Sequence, residues 1–172
     1  MSRLVLALAL ATPLTAAAAD VPRAELFGGY SYLHSSDTSL HGFQTGLDYG
    51  LGRSFGLELA VNGNYGSTSE FDISRTSLLA GPRYAWRGDS ISLFVTLLGG
   101  VVRTQESIDV FEATISESRT DGAGALAAGL DVKLASRWAV RVEGGVLVSE
   151  GPGDGHWDPR ATLAFVYRIG SR

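Results

Sequence analysis

The stretch SFGLELAVNGNYGS, residues 54–67, alternates between two kinds of side chain. Leu57 and Leu59 lie on one parity, whereas Glu58 and Asn62 lie on the other. Because side chains alternate across a β-strand, this period of two predicts one extended strand with unlike faces. Soluble sandwiches and outer-membrane barrels both contain such strands, but the apolar face is the core in the first and faces lipid in the second. Other parts of the sequence are needed to determine which face is in contact with water.

The first residues, MSRLVLALALATPLTAAAAD, have the plan of a secretory signal peptide. A positive charge at Arg3 precedes an apolar run over 4–11 and a small-residue site at Ala17 to Ala19. The run is well short of the roughly 20 residues that a membrane-spanning helix needs. We predict that residues 1–19 are a cleaved signal and that 20–172 form one exported domain.

Composition argues against several functions. Removing Arg3 with the signal changes the balance of basic and acidic residues from 14 − 18 to 13 − 18, which disfavours a nucleic-acid partner. With 0 Cys, the chain has no disulfide framework and no thiolate metal site. Its GxG patterns lie in predicted strands, so we expect no phosphate-binding glycine loop and no cofactor.

Alternating segments bounded by turn residues recur along the chain and predict eight strands. Pro82 predicts a local irregularity in the fourth strand because proline cannot donate to the ladder. The fifth strand is apolar on both parities, and its faces cannot be assigned from the pattern. The predicted strands are 24–34, 42–50, 54–67, 75–86, 91–104, 124–134, 137–149 and 160–170.

The connections between these segments alternate in length. Short joins lie near 50–54, 87–90 and 135–136, and longer polar connections lie at 35–41, 67–74, 105–122 and 150–159. An up-and-down barrel with short turns at one rim and longer loops at the other has this alternation of connection lengths. An even number of strands lets such a barrel close with antiparallel pairs. We therefore predict an all-β, eight-stranded antiparallel transmembrane β-barrel.

The polar parity carries both signs of charge among small residues. Charges removed from bulk water must be paired, and the interior of an eight-stranded barrel is just wide enough for side chains to fill. The alternative, a solvated face of a soluble sheet, would favour lysine and glutamate, and the strands contain one lysine. The predicted lumen network is Glu25, Asp48, Glu58, Arg75, Arg83, Asp131, Lys133, Arg141, Glu143 and Arg168.

Aromatic residues on the apolar parity fall near the strand ends. Aromatic girdles at two membrane interfaces would have this placement, whereas ordinary core aromatics need not cluster at ends. The predicted girdle is Tyr30, Tyr32, Tyr49, Phe55, Tyr65, Tyr84, Trp86, Phe165 and Tyr167.

The segments AELFGGYSYL, AGPRYAW and GLDVKLASRWAVRVE, with a closing strand ending FVYRIG, resemble the OmpA-like transmembrane-domain family of small outer-membrane barrels. The resemblance covers essentially the whole exported chain. It implies insertion by the outer-membrane assembly machinery, with the last strand as the signal. Thr162, Ala164, Tyr167 and Ile169 occupy the matching positions, although Ala164 stands where the family has glycine and the chain continues to Arg172. We expect no peptidoglycan-binding domain after the barrel, and so no tethering to the cell wall by that route.

Some small barrels modify lipids, so we weighed an acyl hydrolase. His34, His41 and His156 lie at predicted loop edges, and His156 with Ser149 and Glu150 would be a candidate set. No nucleophile motif surrounds Ser149, and we assign no catalytic residue.

The loop carboxylates are candidate Ca²⁺ ligands, but they lack an EF-hand order and solvated loop charge explains them. We therefore assign no metal site. These acids are Glu106, Asp109, Glu112, Glu117, Asp121, Asp154 and Asp158.

The sequence thus predicts a monomeric barrel in the bacterial outer membrane, surrounded by lipid. Its role is structural or adhesive, through exposed loops and chiefly through 105–122, with an unidentified surface partner. Two alternatives stay open: a lipid A acyl hydrolase at the barrel rim, and a soluble periplasmic lipocalin-like binder.

Overall fold

A computed structural model describes residues 22–35, 38–67, 72–110, 113–150 and 156–171, excluding the side chains of 67, 106–110, 113–117, 156 and 171. The predicted signal, 1–19, lies outside these residues. The described residues form eight strands, as predicted, and contain no helix able to cross a membrane. The strands are β1 (Pro22–Ser35), β2 (Thr38–Gly50), β3 (Phe55–Ser67), β4 (Asp72–Arg87), β5 (Ile91–Val110), β6 (Ala113–Lys133), β7 (Trp138–Ser149) and β8 (His156–Ser171).

Each strand pairs antiparallel with the next, and β8 pairs with β1 to close the barrel. Paired residues followed once around the barrel lead from Leu93 on β5 to Arg103 on the same strand, 103 − 93 = 10 positions farther along. Such a stagger requires the strands to tilt by roughly 35–45° from the barrel axis. The predicted all-β closed barrel is confirmed.

The two faces of the opening stretch are those predicted. Leu57 and Leu59 are 46% and 45% exposed on the outside, and Glu58 is 1% exposed inside. The structure also assigns the faces of β5: Phe94 and Leu98 point inward, whereas alternate apolar residues such as Leu93 and Val101 point outward. The interior therefore contains apolar side chains as well as charged ones.

The barrel has two different ends. The turn rim contains 51–54, 88–90 and 134–137, and the loop rim contains the four other connections. The strands extend farther toward the loop rim than the sequence predicts. β1 and β2 pair as far as Ser35↔Thr38, so the predicted loop 35–41 is mostly strand.

The predicted loop at 105–122 is wrong in the same way, because it is an antiparallel hairpin paired as far as Val110↔Ala113. Its residues are mainly polar on both parities, so the apolar alternation that identifies a half-buried strand is missing. β6 meets β7 only from Ala123↔Ser149 onward. Residues 105–122, called here the projecting hairpin, therefore extend beyond β7.

Pro82 interrupts the ladder between β4 and β5, as predicted. Pairing runs to Ala80↔Gly99 and resumes at Arg83↔Thr96. Two residues are skipped on each strand, so the register is kept and no residue is inserted. The chain loses two pairs there without bending into a bulge.

The seam between β1 and β8 depends on a close backbone approach at Gly29. A Cβ there would lie 2.1 Å from the Leu163 carbonyl oxygen, whereas a Cβ at Gly28 would meet nothing nearer than Thr45 Oγ1 at 3.7 Å. We expect Gly29→Ala to destabilise the barrel by about 1–3 kcal/mol through overpacking. Gly28→Ala is the matched control and should change stability little. Urea unfolding of the barrel in detergent measures both, and equal midpoints would contradict this account of the seam.

Candidate functional site

The interior contains a network of buried ion pairs centred on two arginines. Arg141 is 0% exposed and donates from Nε to Asp131 and from Nη2 to Asp48, both at 2.8 Å. Arg83 lies 3.2 Å from Glu58, 3.1 Å from Asp131 and 3.3 Å from Asp48. Two guanidinium groups thus share three carboxylates, and the contacts join opposite walls of the lumen.

Aromatic rings pack against the same guanidinium groups. The Arg83 guanidinium carbon lies 3.7 Å from the centre of the Phe94 ring, and that of Arg141 lies 4.7 Å from the centres of both Phe94 and Phe27. The rings fit because glycine lies beside each: a Cβ at Gly46 or Gly129 would be 2.5 Å from the nearby ring. Cation–π contacts of desolvated arginines are worth about 2 kcal/mol.

Further ion pairs lie above and below this centre. Toward the loop rim, Arg75 contacts Asp158 at 2.5 Å and Arg160 contacts Glu143 at 2.6 Å. Toward the turn rim, two more arginines meet Glu25, Arg168 at 3.0 Å and Arg87 at 3.6 Å. The ion pairs of the described interior involve six arginines and six carboxylic acids, so basic and acidic groups are equal in number.

The sequence-predicted network and the observed one differ at four residues. Lys133 is exposed near the turn rim instead of lying in the lumen, because β6 ends there and its last side chain reaches solvent. Arg87, Asp158 and Arg160 were missed. Arg160 is the first residue of the predicted strand 160–170 and lies on its polar parity, so the pattern already contained it. Asp158 belongs to β8, which begins earlier than predicted, and extending the period of two past Pro159 would have found it. The other nine predicted residues make the interior contacts described above.

All nine predicted girdle residues are exposed or partly exposed on the outer face of the barrel. Near the turn rim, Tyr84 packs edge-on against Trp86 at 4.8 Å, and Trp138 contacts Tyr167 at 4.9 Å between ring centres. The prediction missed Phe43, Trp138 and Trp157, which are 45%, 49% and 71% exposed.

The residues proposed as the assembly signal occupy both faces of β8. Thr162 and Ala164 point inward, and the Thr162 hydroxyl donates to Gln44 Oε1 at 2.6 Å. Tyr167 and Ile169 are on the outer face. Recognition by the assembly machinery stays a prediction.

The residues weighed for acyl hydrolysis have other surroundings. Ser149 is 5% exposed inside the lumen, where its hydroxyl accepts a hydrogen bond from Arg75 at 3.1 Å. His156 pairs with Ser149 across β7 and β8, but its side chain lies outside the described residues. Ser149 therefore faces away from the lipid that a substrate acyl chain would occupy.

The described residues also contain no group of three or more potential metal ligands. Asp121 binds Arg119 at 2.6 Å, and Asp158 is paired with Arg75 inside the barrel. The other acids weighed as Ca²⁺ ligands lie where the side chains are not described.

Comparison with known proteins identifies the family. The model of the outer membrane protein beta-barrel domain matches residues 4–167. The chain belongs to this family. This outer-membrane β-barrel accordingly lies in the bacterial outer membrane, with its apolar outer face in lipid. No curated protein matches the sequence significantly.

Similar solved structures share the fold at low sequence identity. Ail, the attachment invasion locus protein of Yersinia pestis, has a TM-score of 0.63 and 19% identity, covering 87% of this chain and all (100%) of that one. Neisserial surface protein A has a TM-score of 0.64 and 10% identity, covering 85% and 96%. The outer membrane enzyme PagL has a TM-score of 0.53 and 17% identity, covering 84% and 99%.

The interior network makes a stability prediction. Arg141→Ala should destabilise the outer-membrane β-barrel by about 3–5 kcal/mol because it leaves Asp131 and Asp48 buried with less compensation. Arg119→Ala removes the partner of Asp121 in a pair whose arginine side chain is 48% exposed, and should cost at most about 1 kcal/mol. Urea unfolding of both variants tests this, and an Arg141→Ala midpoint equal to that of Arg119→Ala would refute it.

Proposed function

We propose that this outer-membrane β-barrel is a surface-attachment protein whose contact surface is the projecting hairpin. The observation that carries the proposal is the ladder of β5 and β6, which continues to Val110↔Ala113, while β6 leaves β7 at Ala123↔Ser149. Longer connections of such barrels lie on the extracellular side. The hairpin is thus a preformed structure outside the cell.

At the level of the central ion pairs, the described interior has little space for transport or ligand binding. The central ion pairs join β2, β3 and β4 to β6 and β7 across the lumen. A cavity of about 10 Å³ near the turn rim, lined by Glu25, Asp48, Arg83 and Arg87, has room for about one water molecule. The barrel therefore serves as a rigid support, and function is carried by its surface.

The hairpin has the properties of an exposed recognition element. Pairing between its two strands satisfies backbone groups without lipid or a core. In the part of the chain that the structure describes, the β6 edge before Gly122 has no β7 partner, and the Gly122 carbonyl accepts a hydrogen bond from the Glu150 N–H at 3.1 Å. An unpaired strand edge offers N–H and C=O groups to another protein chain. The five acidic residues from Glu106 to Asp121 favour a partner with a neutral or basic surface.

The similarity to Ail, whose name describes attachment and invasion, supports this choice over a lipid-modifying enzyme. We do not propose the acyl hydrolase because Ser149 is bound to Arg75 inside the lumen. We also propose that the barrel is monomeric and is inserted by the outer-membrane assembly machinery.

The test replaces residues 106–117 by Asn-Gly, which joins the paired residues Gln105 and Ser118 through a two-residue turn. Bacteria that display the full chain should adhere to cultured epithelial cells, and the shortened variant should lose at least about 90% of the adherence if the hairpin holds the main contact residues. A boiling-dependent shift on gels verifies that the shortened barrel is closed.

The matched control is the double variant Glu106→Gln and Glu117→Gln, which keeps the hairpin length. Reduced adherence of this variant would mean that the partner recognises the negative charges of these two residues. Unchanged adherence would mean that it recognises the backbone and shape of the hairpin. Full adherence of the shortened, folded barrel would refute the proposed function.

A further inference from the structure

The outer face near the loop rim contains two cross-strand rows of residues that span β1 to β5. The lower row is Tyr30, Phe43, Gly63, Thr76 and Arg103, and the row above it is Tyr32, His41, Tyr65, Ser74 and Gln105. With strands about 4.8 Å apart, each row is roughly 19 Å wide. We call these ten positions the rim patch.

The β1–β3 half of the rim patch is an aromatic platform. The Phe43 ring lies over Gly63, where a Cβ would be 2.7 Å from the ring and 3.3 Å from the Tyr65 hydroxyl. Glycine at this position therefore lets two rings lie close to the strand surface. Such a flat apolar platform with hydroxyl groups at its edge suits the C–H faces of sugar rings.

Hydrogen bonds hold the polar groups of the platform in place. The Tyr30 hydroxyl is bonded to His41 Nδ1, and the Tyr32 hydroxyl lies 2.9 Å from Ser39 Oγ. The Tyr32 and His41 rings are 5.4 Å apart. With Tyr30 donating to Nδ1, the other ring nitrogen of His41, Nε2, carries a proton that is available to an acceptor outside the barrel.

The β5 end of the rim patch supplies a positive charge. Arg103 points outward and is exposed, and it donates a hydrogen bond to Ser118 Oγ at 3.4 Å. Among the side chains that the structure describes, Arg103 has no carboxylate partner. A guanidinium group in this position is suited to a phosphate, which it binds with two parallel hydrogen bonds.

The distribution of aromatic residues distinguishes this patch from a simple interfacial belt. Near the turn rim, outward aromatics are spread over β2, β3, β4, β7 and β8. Near the loop rim, the described outward aromatics lie on four adjacent strands, β8 and β1 to β3. A belt needs rings all around the barrel, whereas a binding site needs them together.

We propose that the rim patch binds the headgroup of a phosphorylated glycolipid in the outer leaflet. The sugar rings lie on Phe43 and Tyr65, His41 donates to a sugar or phosphate oxygen, and Arg103 binds a phosphate. The site is on the membrane-facing side of the barrel. It adjoins the base of the projecting hairpin at Gln105 and does not depend on that hairpin's proposed role in attachment.

The experiment titrates the folded full chain in zwitterionic detergent with purified rough-type lipopolysaccharide and measures bound lipid by native mass spectrometry. We expect one saturable site. Arg103→Gln and His41→Ala should each weaken binding by at least about fivefold, the effect of losing one hydrogen bond to a charged group. Enzymatic dephosphorylation of the lipid should weaken binding to the wild type by a similar factor and to Arg103→Gln much less.

Two control variants lie at the turn rim: Tyr84→Ala removes an exposed ring and Lys133→Gln an exposed cation, and both should bind as the wild type does. A loss of lipid binding in these controls equal to that of Arg103→Gln would overturn the proposal. Unchanged lipid binding by Arg103→Gln would overturn it as well. Phosphatidylglycerol that competes as well as the glycolipid would show a simple anion site and would also overturn it. If His41→Ala does not migrate on gels as a folded barrel, the binding measured for Arg103→Gln alone tests the proposal.

Discussion

Closure of the backbone ladder between β1 and β8 is the constraint on which the other features of this barrel depend. In lipid, an unpaired backbone N–H or C=O costs several kcal/mol, so a spanning sheet cannot keep a free edge. With eight strands and a stagger of ten residues, the closed sheet leaves an interior that side chains fill. Close contacts at positions such as Gly29 follow from that closure.

The contents of the interior follow from its size. Arg83 and Arg141 each meet carboxylates from more than one strand, which links walls that the backbone ladder does not connect directly. Buried ion pairs are weak evidence for net stability, since desolvation offsets much of their attraction. Their clearer effect is on register, because a slip of one residue would turn Arg141 into lipid.

The sequence was sufficient to predict the strand number, the closed barrel and the faces of strands with a clear period of two. It could not assign β5, because Phe94 and Leu98 fill the lumen while Leu93 and Val101 face lipid, and both environments accept apolar residues. The strands of the hairpin at 105–122 could not be predicted for the opposite reason. Outside the membrane neither face of a strand must be apolar, so the period of two is missing. His41 was expected at a loop edge, and its contact with Tyr30 arises from cross-strand neighbours that sequence alone does not show.

The central claim is that the apolar parity faces lipid while the charged parity fills the lumen. Because the chain has 0 Cys, single nitroxide labels at Leu59→Cys and Leu126→Cys, with Asp89→Cys in a turn as the water-exposed control, report each environment directly. In liposomes, the account predicts that the labels at 59 and 126 collide often with dissolved oxygen and rarely with a water-soluble nickel complex. Low collision rates with both reagents at these two positions would place them in a protein core and would contradict the account.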